Sequence, residues 1–237
     1  MGTMVALGDV DIAALARVIA EPARASMLAV LTDGRSLPAT QLAAEAGVAP
    51  STASEHLARL LDAGLVAVER TGRHRYYRLA GPEVAAVVET MAGIAPPRRV
   101  RSLRDGIRSE AVRAARMCYD HLGGRLAVGL HDALLERGAV VAREGLSGEV
   151  GYELTSAGRL WLEELGVGLP ERGGRRPLVR HCVDWSERRH HLAGALGAAL
   201  ARWTLDRRWT IRATAGRAVV VTDEGRHALR ERLGVDA

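Results

Sequence analysis

The sequence has 237 residues, 48% of them apolar, which suits one large domain or two small ones with a buried core. No stretch approaches the ~20 apolar residues of a membrane helix and no charged-then-apolar leader opens the chain, so a cytoplasmic protein is expected. The formal charge is +5, but all 33 basic residues are arginine, which stays protonated below about pH 12, so the high pI says little and the placement of charge says more.

Residues 11–20 read as a short apolar helix. Pro22 sits well at the first position of a second helix running to about Asp33, with Met27, Leu28 and Leu31 on one face and Gly34 as its stop. A third helix spans about Ala39–Ala46 with Leu42 inward, residues 47–50 turn, and a fourth runs from about Ser51 to Ala63. In that fourth helix Ala53, Leu57, Leu60 and Leu61 form a buried stripe, and Ser51, Thr52, Ser54, Glu55, His56 and Arg59 lie opposite. Alternating runs Leu65–Arg70 and Arg75–Leu79 predict a β-hairpin with a basic tip at residues 71–74. Residues 66–78 hold four arginines and one glutamate, although residues 1–81 balance eight arginines with eight acids. A helix from about Pro82 to Ala92 closes the unit.

Helix–helix–turn–helix–hairpin is the outline of a protein that reads the DNA major groove, which admits one helix. Short polar side chains near that helix's N-terminus suit phosphate and base edges, so Ser51, Thr52, Ser54, Glu55, His56 and Arg59 are the candidate contacts. Arg73, His74, Arg75 and Tyr76 of the hairpin are offered to a neighbouring phosphate or the minor groove. The plainer account is a solvated polar face and an ordinary hairpin; the ordered set favours DNA.

Residues 41–47 (QLAAEAG), 51–57 (STASEHL), 60–66 (LLDAGLV) and the wing 73–77 (RHRYY) resemble the ArsR/SmtB family of bacterial repressors, over about 80 of the 237 residues. The resemblance implies a winged helix-turn-helix homodimer that binds a palindromic operator as double-stranded DNA and is released by an effector. Apolar residues on the first and closing helices (Ile12, Leu15, Val84, Val88) fit a dimer. Two departures stand out. Ala49-Pro50 replaces the serine cap the family often places before its recognition helix, at a cost of about 1 kcal/mol. The family's metal positions also fail to match, since residues 38–46 hold no Cys and residues 82–92 no His.

Beyond a break at residues 93–97, residues 98–116 carry seven arginines (Arg98, Arg99, Arg101, Arg104, Arg108, Arg113, Arg116) against Asp105 and Glu110. They read either as an extension of the DNA footprint or, more plainly, as a solvated helical face. The remainder reads as an internal repeat: Cys118-x-Asp120 and Cys182-x-Asp184 lie 64 residues apart, and Thr155-x-x-Gly158 and Thr222-x-x-Gly225 lie 67 apart. Each copy reads helix–strand–turn–strand–helix, which resembles a winged-helix unit, with apolar helices over Leu122–Arg137 and Leu192–Leu205. The expected fold is therefore mainly α with small β-hairpins (α+β). Its parts are a winged helix-turn-helix over 1–95, an arginine-rich connector over 96–117, and a regulatory half over 118–237 with repeats at about 118–168 and 182–235.

Two cysteines are too few for a disulfide scaffold in a chain this long and read as free thiols. Cys118, Asp120 and His121, and His181, Cys182, Asp184, His190 and His191, cluster in sequence. Cys and His ligate zinc and softer metals, so the two halves together offer thiol or metal sensing. A small buried Cys followed by an Asp capping the next helix is the plainer reading. Trp161, Trp185, Trp203 and Trp209 fall in this half and suit either a pocket for a small organic effector or a core without Phe. Cys118, His121, Cys182 and Trp185 are accordingly the candidate effector contacts, with no catalytic, metal or cofactor set assigned. The glycine-rich run 166–176 lacks a P-loop ending and reads as a loop. Three further readings remain open: a repressor responding through Cys118 and Cys182, a protein-binding module, and a cysteine-dependent enzyme.

Overall fold

The computed structural model describes residues 10–96, 102–144, 150–171 and 176–236. Of the sequence features, Arg98, Arg99, Arg101, Gly173 and Gly174 lie outside the described residues. The chain divides between Ala85 and Ala86 into two compact units.

The first unit begins with α1 (Ile12–Ile19) and α2 (Pro22–Leu31). Asp11 caps α1 by accepting from the Ala14 amide, and Glu21 caps α2 by accepting from Arg24, with Pro22 at the first helical position. A short strand β1 (Leu37–Pro38) leads into α3 (Ala39–Ala46) and α4 (Pro50–Asp62). The hairpin β2 (Val66–Thr71) and β3 (His74–Leu79) follows, in a sheet of order β1-β3-β2. Met27, Leu28, Leu31, Leu42, Ala53, Leu57, Leu60 and Tyr77 form its core. The predicted stripe of α4 is buried as read, with Leu61 at its half-buried edge. The hairpin is tighter than its sequence suggests: Thr71 and His74 pair, leaving Gly72 and Arg73 as the loop. Helix α5 (Pro82–Ile94) begins in this unit and ends in the second.

The second unit opens with α6 (Leu103–Ala114). Then the order hairpin–helix–hairpin–helix occurs twice. The first pass is β4 (Arg116–Cys118), β5 (His121–Gly123), α7 (Arg125–Glu136), β6 (Val140–Glu144), β7 (Val150–Leu154) and α8 (Ser156–Glu164). The second is β8 (Arg180–Val183), β9 (His190–Ala193), α9 (Gly194–Asp206), β10 (Thr210–Arg212), β11 (Val219–Val221) and α10 (Asp223–Leu233). Each hairpin is its own antiparallel pair. Leu122, Leu126, Leu130, Leu134, Leu162, Leu192, Leu196, Leu200, Trp203, Trp209 and Leu229 share one core. Backbone bonds from Met117 to Arg217 O and from Val219 to Ala115 O tie the first strand of this unit to the last. No helix among the described residues is long and apolar enough to cross a membrane.

The apolar runs predicted as helices over Leu122–Arg137 and Leu192–Leu205 are helical only from Arg125 and Gly194. Their first residues are strands, because Leu122 and Leu192 pair across to Met117 and His181. A short apolar run fits strand or helix by periodicity alone, and here the neighbouring segment decides.

The repeated Thr-x-x-Gly has one physical cause in both places. Thr155 and Thr222 cap α8 and α10 by accepting from the amides of Gly158 and Gly225, and each hydroxyl donates to a carbonyl of the preceding strand's entry, Gly138 O and Arg208 O. A Cβ on Gly158 would lie 2.2 Å from Ala139 O, and one on Gly225 2.1 Å from Trp209 O. Only glycine lets helix and strand approach so closely.

Candidate nucleic-acid interface and a cysteine–histidine cluster

In the first unit α2, α3 and α4 pack together as the helix-turn-helix. Ala49 stands at the cap of α4 and makes no side-chain bond to it, and Pro50 is the first helical residue. The first-turn amides of α4 are thus left without a capping side chain, as the sequence departure implied, and they point where an anion is favoured. Ser51, Ser54, Glu55 and Arg59 are exposed along the helix and Thr52 is half-buried. His56 is turned inward: its Nδ1 lies 3.6 Å from Glu21 and 3.5 Å from Arg24, a buried arginine that also donates to Arg17 O. Against a burial penalty, the Arg24 and Ala23 amides and the His56 ring hold the Glu21 carboxyl below its ordinary range.

At the wing, Arg73, His74 and Arg75 are exposed and Tyr76 is half-buried. Arg70 and Arg75 are directly opposite across the hairpin, both exposed. Like charges facing one another across a ladder destabilise it. The pair suits a wing that meets an anion.

In the second unit the structure gathers Cys118, His121, Cys182 and His191, whose sulfurs and one ring nitrogen apiece all lie within 4.8 Å of one another. The register explains the convergence. Cys118 pairs with His121 across β4–β5, and Cys182 with His191 across β8–β9, so each hairpin delivers one thiol and one imidazole. Tyr119, in the two-residue turn between Cys118 and His121, has φ 60, a left-handed conformation uncommon for a side chain this large.

Neither aspartate caps the helix that follows it in sequence, α7 for Asp120 and α9 for Asp184, contrary to the plainer sequence reading; each lies beside a histidine ring instead. Asp120 Oδ1 is 3.2 Å from His121 Nδ1, and Asp184 Oδ2 is 3.3 Å from His191 Nδ1. Asp184 also accepts from Gly124 N at the start of α7 and from Ser186. The Nε2 atom of His121 and both ring nitrogens of His191 are buried and have no hydrogen-bond partner among the described residues. A hydrogen bond from Cys118, together with both histidines, draws Cys182 far below an ordinary thiol, and the same bond and burial push Cys118 up. Although burial opposes it, Asp184 and Cys182 hold His191 above an ordinary imidazole.

The remaining candidates are dispersed. Trp185 lies beneath the guanidinium of Arg116, 4.6 Å from its ring centre. Arg116, fully buried, pairs with Asp184 at 2.9 Å and lies 3.7 Å from Glu89, which also pairs with Arg217. The solvated-face reading of the arginine run therefore fails at Arg116, which is on β4 rather than on α6, while Arg104 and Arg108 are exposed. Trp203 and Trp209 stack edge-to-face in the core, and Trp161 lies under Arg137. A cleft of about 310 Å³ is lined by His131, Asp132, Tyr152, Arg188, Arg189 and His190 and by no tryptophan. His191, named in the sequence cluster but not among the four candidate effector contacts, completes the site in the place expected of Trp185; it follows Cys182 by nine residues where His121 follows Cys118 by three. The available signal is strand register, which makes both pairs direct partners.

A helix-turn-helix domain model matches residues 19–69. The chain is 41% identical over 226 residues to the uncharacterized HTH-type transcriptional regulator YdfF of Bacillus subtilis, covering 95% of this chain and 98% of that protein. It is 40% identical over 74 residues to the HTH-type transcriptional regulator CmtR of Mycobacterium tuberculosis, covering 31% of this chain and 62% of that one. Among solved structures, a homodimeric winged helix-turn-helix DNA-binding domain from Mycobacterium bovis is 28% identical, covers 42% of this chain and 99% of that one, and has a TM-score of 0.33.

Proposed function

Because the chain belongs to the ArsR-like family of winged helix-turn-helix transcriptional regulators, we propose that it is a homodimeric repressor whose N-terminal region, residues 1–95, reads a palindromic operator. The observation that carries the reading is the wing, where Arg70 and Arg75 face each other across an exposed hairpin beside Arg73 and His74. That cluster costs stability in the free protein and is relieved by phosphate. Ser51, Thr52 and Ser54 contact phosphate or base edges at the start of α4, Arg59 reads a base edge, and Glu55 accepts from cytosine N4. His56 supports α4 from beneath through Glu21 and Arg24 rather than reading bases. Tyr76 braces the wing.

Each unit leaves apolar residues uncovered: Val10 just before α1 with Ile12 and Leu15 on it, and Val87, Met91 and Ile94 on α5, where the expected Val84 and Val88 are half-buried. A second copy of the chain is the partner this reading assigns to them. The second unit is the regulatory part. A small organic effector is suited to the cleft lined by His131, Asp132, Tyr152, Arg188, Arg189 and His190. The reading places the protein in the cytoplasm, with its DNA. It assigns no reaction, and Cys118, 2% exposed with its thiol pushed up, is poorly placed as a nucleophile.

Fluorescence anisotropy tests this with the full chain, a duplex from upstream of its own gene and a shuffled duplex at about 150 mM salt. A specific regulator separates the two by about 10³ or more in affinity. Equal, weak and salt-sensitive binding to upstream fragments and shuffled controls alike would leave only phosphate attraction and overturn the reading.

A further inference from the structure

We infer that Cys118, His121, Cys182 and His191 form a tetrahedral site for a thiophilic divalent cation, zinc(II) in the first instance, which clips the two cysteine-bearing hairpins of the second unit together. The inference goes beyond DNA reading and does not rest on it.

Four independent features converge. The donor set is two thiols and two imidazoles, the S₂N₂ composition that selects zinc among common divalent ions. The donor atoms already lie within 4.8 Å of one another, so shifts of about 1 Å bring them to the ~3.3–3.8 Å separations of a tetrahedral zinc shell. His121 Nδ1 bonds Asp120, which orients that ring and leaves Nε2 for a ligand, and His191 Nδ1 lies 3.3 Å from Asp184. Both Nε2 atoms are buried without a partner in rings 7% and 0% exposed, a costly arrangement for a polar atom that an ion at the centre of the cluster removes.

The architecture says what kind of site it is. Four protein ligands fill a tetrahedron and leave no position for water or substrate, as in structural rather than catalytic zinc centres. In the bound state both cysteines are thiolates, Cys118 having released its proton to solvent, and the two thiolates balance the dipositive charge, so the buried centre is neutral. One ligand pair comes from β4–β5 and the other from β8–β9, segments about 64 residues apart in sequence, so the ion bridges the two passes of hairpin and helix. Stability of the second unit is thereby linked to metal.

The test uses the full chain purified under reducing conditions without added metal or chelator. Elemental analysis is expected to find about one zinc per chain. After zinc is stripped by acid or chelator, titration with cobalt(II) is expected to give the visible absorption of a tetrahedral, thiolate-ligated ion, and zinc to displace it. Cys182→Ser and His191→Ala should abolish that band. Since a ligand variant can fail by misfolding, Asp120→Asn provides the second arm. It keeps all four ligands and should weaken cobalt and zinc affinity roughly 10–100-fold while the band's shape persists. Zinc absent from the purified chain together with no cobalt band would overturn the site. So would native mass spectrometry showing a metal-free chain two hydrogens light, the mark of a Cys118–Cys182 disulfide. A chain that holds zinc yet fails to discriminate duplexes sinks the operator reading alone, and the reverse result sinks only the metal site.

Discussion

At the scale of single residues, the wing and the recognition helix should separate on mutation. Arg75 is exposed at the hairpin tip and Arg59 on the helix face. Arg75→Ala is expected to weaken operator and shuffled duplex alike and to lower the salt slope of binding by about one. Arg59→Ala is expected to cost about 1–3 kcal/mol on the operator and to relax preference at one base position. Anisotropy across a salt series checks both; an Arg75→Ala slope equal to that of the unaltered chain would remove the wing from the interface. The polar residues on the face of α4 were legible from periodicity alone, since a 3.6-residue repeat sorts Ala53, Leu57 and Leu60 inward. The inward turn of His56 was not, because its partners Glu21 and Arg24 come from α2, and a helical wheel carries no information on what packs over the wheel's edge.

At the scale of elements, the lesson lies in the strands. The helices of the first unit were read closely because they carry caps and stops in local sequence, Pro22, Gly47 and Pro50, whereas the two-residue strand β1 that pairs with β3 was missed. In the second unit the β4–β5 and β8–β9 hairpins were missed. Their strands are three or four residues long, and their apolar members run straight into the helices that follow. The missed hairpins are the elements that bring the cysteines to the histidines, so the cluster was visible as composition but not as geometry. The Thr-x-x-Gly signal, by contrast, was legible as a repeat, and its cause is steric. Gly225→Ala would place a methyl group 2.1 Å from Trp209 O, so it is expected to destabilise the protein by about 1–3 kcal/mol or more, several degrees in Tm. Gly168→Ala, which meets nothing within 4 Å, is the matched control and should be nearly neutral. Thermal melts of the two side by side decide; equal melting temperatures would refute the close-approach account.

At the scale of the whole molecule, two compact units divide the labour: the first carries the surface suited to DNA, and the second carries the buried cluster, the buried Arg116–Asp184 pair and the cleft beside Tyr152. The family motifs legible in the sequence lie in the first third of the chain, which is why function was legible there, and the second unit, although the likeness to the Bacillus subtilis regulator runs through it, had to be argued from its own residues. The central claim is that two copies of the chain read one operator with paired α4 helices. Hydroxyl-radical footprinting of the full chain on its upstream DNA tests it most directly. Two protected half-sites related by a two-fold axis, about one helical turn or a multiple of it apart, are the expected result. A single unpaired footprint, or uniform protection without sequence preference, would contradict the account.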